Sequence, residues 1–484
     1  MTVAGAPADL REPADGSPES TASNGESRRL RHRALGFADR HPLWTVALLA
    51  TVARLLAVVL LGPLRPGVAV PDEKQYLDLA ASVASGRGAE AWQPGYGQSL
   101  YDSTQTFMRP LTFLVRVFGE HQVVGQLLAA GFGVLAALLT TWVALRVVRP
   151  RYAWLAGGIV ALMPSQVFWS SVVLRESMVW SALAGTALAL GLANTSRSWR
   201  VLLGCAALAV LCLWALSDLR GQTAVVVAGS IGLAAWVVRS ARRVVVPLGA
   251  VLIAVMVPWG AGLGPAGLSY VANVVPQLAT LRTNLSIGAE SSFIDRTVIP
   301  PSGAPGGAPG GAPGGAPGGA PGGAPGGAPG GAPGGAPGGD GVGAPVEVPP
   351  GAAVITDSTG TTYVVDDSAA ASVSAVPRGL VAVALRPFPW EPARNTGLLV
   401  AKVENIAWGV LYVLAVVGAV AGWRRRQALA FPVIVTGAIV LSAALTQANL
   451  GTAFRHRGQV LWALAVLAAV GLQYLIDRRR AAKG

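Results

Sequence analysis

The sequence predicts an all-α polytopic membrane protein with about ten transmembrane helices. Runs of roughly 20 apolar residues recur along the chain, and each is long enough, as a helix, to cross about 30 Å of hydrocarbon. Of the 484 residues, 52% are hydrophobic and 13% are charged, whereas soluble domains carry about 25% charged residues. The net charge of +13 is concentrated in short segments beside the apolar runs. That placement is typical of membrane orientation and gives no indication of a nucleic-acid partner.

The N-terminal part of the chain combines a polar tail with most of the predicted spans. Residues 1–40 are rich in Pro, Ala, Ser and charge, which predicts a disordered cytoplasmic tail. So long a polar stretch before the first apolar run is unlike a cleavable signal peptide. The first span is expected at about 43–64, and six more are expected near 123–146, 152–173, 177–193, 201–217, 222–238 and 244–264. Residues 41–264 are therefore predicted to form an N-terminal transmembrane module of about seven spans, with interfacial helices in its first loop.

A long polar insertion separates this module from the last three predicted spans. Within residues 265–398, nine tandem GAPG units run from Gly303 to Gly338. Glycine and proline at this density cannot build a core, so the repeat is predicted to be a flexible, partly disordered spacer, with a wall-spanning or partner-binding role as the alternative. Residues 354–365 resemble a β-hairpin. The last spans are expected near 399–422, 428–446 and 458–476, and 477–484 is predicted to be a cytoplasmic tail.

Charge sets the expected orientation of the chain. An even number of spans places both termini on one side of the membrane. Five arginine groups fall on that same side: Arg146/Arg149/Arg151, Arg197/Arg200, Arg239/Arg242/Arg243, Arg424–Arg426 and Arg478–Arg480. Since positive segments stay inside, both termini are predicted to be cytoplasmic, in the inner (plasma) membrane. Residues 265–398 are then extracytoplasmic.

The first predicted extracytoplasmic loop carries adjacent carboxylates. Asp72 and Glu73 stand at the mouth of a span and are followed by Tyr76 and an apolar-faced helix. A partly desolvated carboxylate at a membrane surface can act as a general base. The alternative is structural, because an Asp N-cap with a Glu in the first turn is also a common way to begin an interfacial helix.

Cationic residues recur in loops predicted to lie on the same side as Asp72. The positive-inside rule does not explain them. They are Arg109, Arg175 (with Glu176 beside it), Arg220, and Arg455-His456-Arg457. Arginine donates two parallel hydrogen bonds to phosphate, so these side chains are candidates for an anion site. Taken singly, each arginine also fits a lipid-headgroup anchor.

Two further features bear on chemistry inside the membrane. Arg54 lies near the middle of the first span, where it must face the bundle interior and a partner, and an ion pair is the expected arrangement. Four histidines are scattered and two cysteines share one span, which disfavours a zinc site. No cofactor is firmly implied, although a divalent cation at Asp72 and Glu73 remains an open possibility.

The order of these features resembles the C-type membrane glycosyltransferases. In particular, it resembles glycosyltransferase family 39, with its protein mannosyltransferase and lipid A aminoarabinose transferase relatives. It covers about 43–193 best, and it rests on Arg54 in the first span, Asp72-Glu73 with Tyr76, Arg109-Pro110-Leu111, and a third span ending in Met163-Pro164-Ser165. The segment Arg109-Pro110-Leu111 has one proline where the family often has two.

This resemblance implies a function and assigns roles. It implies transfer of a sugar from a polyprenyl phosphate to an acceptor hydroxyl outside the cytoplasm, with inversion, by a catalytic module within 41–264. Asp72 would be the base, Glu73 would position a substrate, and Arg175 with Arg455 or Arg457 would hold the phosphate. The partners implied are a polyprenyl-phosphate sugar donor, membrane lipid and an envelope acceptor that the sequence does not identify.

Other functions remain open at this point. A polysaccharide polymerase or ligase would also need arginines and a base, but would use a lipid-diphosphate oligosaccharide. A transporter or flippase of lipid-linked glycans usually contains internal repeats, and no inverted repeat is found in the sequence. A non-catalytic envelope scaffold would tolerate the loss of Asp72, whereas an enzyme would not.

Overall fold

The structure, a computed structural model, describes residues 36–61, 71–238, 297–299, 352–356, 362–366, 376–391, 396–446 and 455–483. The predicted N-terminal tail up to residue 35, the predicted span at 244–264 and the GAPG repeat lie outside the described residues. Within this part of the chain, eight helices are long and apolar enough to cross a membrane. The protein is thus an all-α polytopic membrane protein in its described bundle.

The N-terminal bundle contains five of these long helices. They are α1 (Pro42–Leu61), α5 (Gln122–Leu145), α8 (Glu176–Thr195), α9 (Trp199–Leu219) and α10 (Gly221–Val238). Three helices lie between α1 and α5: α2 (Pro71–Ala84), α3 (Gly97–Asp102) and α4 (Gln105–Phe118). Gly119 ends α4 with a positive φ of 86°, a conformation that glycine adopts without strain.

The predicted third span, 152–173, is broken in the structure. Helix α6 (Pro150–Leu162) ends after 13 residues, and the short helix α7 (Pro164–Trp169) follows it. Thirteen residues extend only about 20 Å. Pro164 causes the break because proline lacks an N–H and disfavours helical geometry in the residue before it. Prediction of one continuous helix here was therefore wrong.

The C-terminal part contributes the remaining three long helices. They are α12 (Thr396–Ala421), α13 (Arg426–Thr446) and α14 (Leu461–Ala481), with a 3₁₀ turn at Trp423–Arg425. Glycines allow α12 and α14 to pack closely: a Cβ at Gly418 would lie 1.9 Å from the Leu467 carbonyl oxygen, and one at Gly471 would lie 2.2 Å from that of Leu414. Helix α14 also runs through the basic residues predicted to begin a tail at 477.

The predicted loop 265–398 contains regular structure within its described residues. Helix α11 (Val376–Leu385) packs on α13, where a Cβ at Gly379 would lie 2.5 Å from the Ala444 carbonyl oxygen. Strands β1 (Thr297–Ile299), β2 (Ala352–Thr356) and β3 (Thr362–Asp366) form an antiparallel sheet in the order β1-β3-β2. Pairing of β2 with β3 confirms the predicted hairpin.

The bundle has a basic end and an opposite end, here called the site end. At the basic end, Arg149 pairs with Asp477 at 3.1 Å and Arg146 donates to Thr195. Helices α8 and α14 are central, since residues 176–189 and 461–471 are buried throughout. By contrast, α1 and α12 expose apolar side chains such as Leu48 and Val413, as lipid-facing helices do. The site end collects the segments that begin α2, α8, α10 and α14.

Candidate functional site

Helix α2 begins with the two predicted carboxylates, and its geometry separates them. Adjacent residues on a helix do not face each other. The Asp72 carboxylate accepts a hydrogen bond from Arg455 at 3.1 Å. Glu73 instead accepts from the Gln126 side chain at 3.2 Å and from the Val173 N–H at 2.9 Å. Glu73 therefore links α2 to α5 and to the segment after α7, whereas Asp72 forms an ion pair with Arg455.

Both carboxylates are buried, and this changes their protonation. Asp72 is 8% exposed and Glu73 is 1% exposed. Burial raises the pKa of the Asp72 carboxyl, while the Arg455 guanidinium acts to lower it. Burial likewise raises the pKa of Glu73, against the hydrogen bond from Val173. Asp72 Oδ1 is buried and has no hydrogen-bond partner within the described part of the chain, as is true of Glu73 Oε2 and Glu176 Oε2, so one oxygen of the Asp72 carboxylate lacks a donor.

A second ion pair lies at the start of α8. Arg220, at the junction of α9 and α10, donates to Glu176 at 2.6 Å. The other terminal nitrogen of Arg220 lies 3.0 Å from His456 Nε2. Because a guanidinium only donates, His456 Nε2 is the acceptor of this hydrogen bond. Burial, reinforced by Arg220, lowers the pKa of His456 to about 3, so the ring is neutral at physiological pH.

The side chain of Arg175, which lies near Asp72, has no fixed partner among the described residues. Arg175 is partly exposed, and its side chain makes no hydrogen bond or ion pair with any residue that the structure describes. Burial acts to lower the pKa of Arg175, but the neighbouring Tyr76 and the carboxylates of Glu176, Asp218 and Asp72 outweigh this and raise it. The charge of Arg175 is thus retained next to Asp72 with its donors free to bind an anion. Tyr76 is buried against Phe107, with ring centroids 5.6 Å apart.

The segment before α14 brings Arg455 to the site. Gln166 of α7 donates to the Gly458 carbonyl at 3.2 Å, which fixes this segment against the broken helix. The Arg455 guanidinium lies 4.4 Å from the centre of the Trp169 ring, at a distance typical of cation–π contact. Sequence analysis missed Trp169, and only the Pro164 break, which ends the third span early, could have indicated that it reaches the site.

The structure brings together most of the predicted site residues. The group formed by Asp72, Glu73, Tyr76, Arg175, Glu176, Arg220, Arg455 and His456 is hereafter called the ion cluster. Two predicted residues lie apart from it. Arg109 is exposed on α4, bonds Gln105 one turn earlier, and makes no hydrogen bond or ion pair with the ion cluster.

Arg457 belongs to a different buried group. It donates to the Asn405 side chain and to the Arg386 carbonyl, and its guanidinium lies 5.3 Å from the Trp408 ring centre. Nearby, Glu404 accepts from the Ser165 hydroxyl and N–H and from Trp408 Nε1. These bonds tie α12 to α7 and to the segment before α14. Arg457 and Glu404 therefore stabilise the packing of the helices that position the ion cluster, and they do not belong to the cluster itself.

The expected ion-pair partner of Arg54 is replaced by backbone carbonyls. The side chain is fully buried, and it donates to the carbonyls of Ala161 at 3.1 Å and Val160 at 3.4 Å. These belong to the last turn of α6, where the break leaves carbonyls without helical partners. A cation at the carboxyl end of a helix is also favoured by the helix dipole. Arg54 thus caps the broken helix from inside the bundle, and the predicted acidic partner was wrong.

Metal ligands do not gather at the site. Among the described residues, no group of three or more His, Cys, Asp or Glu side chains is placed to hold a metal ion. Cys205 and Cys212 are buried free thiols. What the ion cluster offers is instead a carboxylate with an unpartnered oxygen beside the guanidinium groups of Arg455 and Arg175, an arrangement suited to binding an anion and accepting a proton.

No protein-family model matches the chain, and comparisons with curated proteins and with solved structures find no match.

Proposed function

We propose that the protein is a membrane glycosyltransferase that moves a sugar from a polyprenyl-phosphate donor to an acceptor hydroxyl in cell-envelope glycan or glycoprotein synthesis. The observation that carries this proposal is the placement of Asp72 Oδ1, which is buried and unpartnered in the described structure, next to Arg455 and Arg175. A group transfer from a phosphate needs a base and a cationic site within reach of each other. The order of residues along the chain, which resembles glycosyltransferase family 39, agrees with it.

Each residue has a defined part in the proposed reaction. The Asp72 carboxylate takes the proton of the acceptor hydroxyl as that oxygen attacks the anomeric carbon of the sugar. The bond from this carbon to the phosphate oxygen breaks, and polyprenyl phosphate leaves with the bonding electron pair. Arg175 and Arg455 stabilise the charge that builds on the departing phosphate. Attack from the face opposite the leaving group inverts the anomeric carbon.

Orientation in the membrane is part of the same proposal. The basic end would face the cytoplasm, with both termini, and the site end would face outward in the inner membrane. A polyprenyl donor would then enter from the lipid with its phosphate at the level of the ion cluster.

The decisive experiment compares the purified wild type with Asp72→Asn. Both are supplied with polyprenyl-phosphate-linked sugars and an envelope extract, and release of free polyprenyl phosphate is measured. Loss of a general base typically lowers the rate about 10²–10⁴-fold, so Asp72→Asn should lose nearly all release. Asp78→Asn is the matched control, because Asp78 lies on the same helix and makes no ion pair among the described residues.

Each outcome separates the candidate functions. Equal release by the wild type and a folded Asp72→Asn protein would mean that Asp72 only begins a helix. If the protein consumes no monophosphate donor but releases polyprenyl diphosphate from a lipid-diphosphate oligosaccharide supplied in its place, a polymerase or ligase is favoured. If lipid-linked sugar crosses reconstituted vesicles without being consumed, the protein is a flippase, and the proposal is wrong.

A further inference from the structure

Helix α4 presents two opposite faces, only one of which is covered by the part of the chain that the structure describes. Phe107, Met108 and Leu111 are fully buried, and Val115 is 5% exposed. On the other side Phe113 is 64% exposed and Val117 is 56% exposed, although both are apolar. A phenylalanine this exposed is unfavourable in water, so the outer face of α4 requires an apolar neighbour.

Charge accompanies this apolar face. Arg109 and Arg116 are both exposed. They stand four residues before and three residues after Phe113, so all three side chains lie on one stripe of the helix. Arginines flanking aromatic and aliphatic side chains on one face are typical of helices that lie in the boundary between lipid headgroups and acyl chains. The long arginine side chains can reach the phosphates while their stems stay in apolar surroundings.

The connection to α5 fixes the depth of α4. Only residues 119–121 separate the end of α4 from Gln122, where the 24-residue membrane-spanning helix α5 begins. Three residues reach no more than about 11 Å. Since a helix of 24 residues is about 36 Å long, slightly more than the hydrocarbon core, its first turn lies at the bilayer boundary. The carboxyl end of α4 must therefore lie at that boundary too.

We infer that the outer face of α4 (Arg109, Phe113, Arg116 and Val117) binds anionic phospholipid, with Phe113 and Val117 among the acyl chains and the two arginines on headgroup phosphates. This surface also sets the depth of the ion cluster. Phe107 on the inner face contacts Tyr76 of α2, and the Thr106 N–H donates to Asp218 at 2.5 Å. Lipid held by α4 thus places Asp72 at headgroup level, whatever reaction the ion cluster performs.

Spin labels test the apolar half of this inference. In the full chain with Cys205→Ala and Cys212→Ala, single cysteines are placed at Phe113, at Leu55 on the lipid-facing side of α1, and at the exposed Gln98 of α3. In lipid nanodiscs, the spin label at position 113 should collide more often with oxygen than with a water-soluble nickel complex, and so should the label at position 55. Greater access for nickel at 113 would place this face in water. If neither reagent reaches 113, protein covers the face, and either result overturns the inference.

Lipid titration tests the charged half. Binding of phosphatidylglycerol to the protein in phosphatidylcholine nanodiscs should weaken about fivefold for each arginine removed in Arg109→Gln and Arg116→Gln. Arg87→Gln, an exposed arginine between α2 and α3, should leave it unchanged. Unchanged binding in the double variant, or an equal loss in Arg87→Gln, would show that the two arginines do not recognise headgroups.

Discussion

At the scale of single residues, the ion pair between Arg455 and Asp72 matters most for the proposed reaction. Burial and the guanidinium have opposite effects on the same carboxyl group, and the net effect is a raised pKa. Sequence analysis found both residues, because each is a charge in a loop predicted to lie outside. It could not pair them, since they are 383 positions apart. Nor could it separate Asp72 from Glu73, whose partners Gln126 and Val173 are ordinary residues.

Removal of Arg455 should change the pH dependence of the proposed reaction. A base must be deprotonated, so activity falls as the pH drops through the pKa of Asp72. Arg455→Met removes the positive charge that favours the carboxylate, which raises the pKa of Asp72 further. The acidic limb of the pH–rate profile should therefore move to higher pH, while Arg455→Lys should move it less. An unchanged limb in a folded Arg455→Met protein would show that Asp72 does not govern it.

At the scale of secondary structure, the break between α6 and α7 places the site. It lets the chain turn so that Trp169 and Arg175 reach the site end, and Arg54 satisfies the carbonyls that the break exposes. The sequence predicted a span here because its apolar residues are continuous, and hydropathy does not register the interruption at Pro164. Length and composition therefore predicted the other described spans better than this one.

Gly133 should be essential to this arrangement. A Cβ at this position in α5 would lie 2.3 Å from Arg54 Nε and 2.6 Å from Ser170 Cβ, and both neighbours are buried. Gly133→Ala should destabilise the protein by about 1–3 kcal/mol, as overpacking does, measured as a lower Tm in detergent. Gly131→Ala is the matched control in the same helix, with nothing within 4 Å, and it should be neutral or stabilising. Equal Tm values for the two variants would contradict this account of the Arg54 cap.

At the scale of the whole molecule, the bundle separates two kinds of charge. Arginines that follow the positive-inside pattern, such as Arg146 and Arg149, lie at the basic end, whereas the ion cluster lies at the site end. The pattern of charges along the sequence predicted this separation because successive spans alternate in direction. The broken helix preserves the alternation, since α6 and α7 together return the chain to the site end.

The proposed orientation is tested by labelling from outside the cell. In the background lacking Cys205 and Cys212, single cysteines replace Lys74 at the site end and Arg479 at the basic end, both exposed. A membrane-impermeant maleimide should label position 74 in intact spheroplasts, and position 479 only after permeabilisation. The reverse pattern would invert the topology and place the ion cluster in the cytoplasm.

The sequence by itself determined the class of the protein, the position of most spans and the identity of the charged residues at the site, because hydropathy and charge act locally along the chain. Tertiary structure alone decided which charges pair, that Arg54 caps a broken helix, and that Arg109 and Arg457 stand apart from Asp72. The reason is physical: a buried charge takes its partner from whatever helix packs beside it, and packing depends on side-chain fit across the whole bundle rather than on neighbours in the sequence.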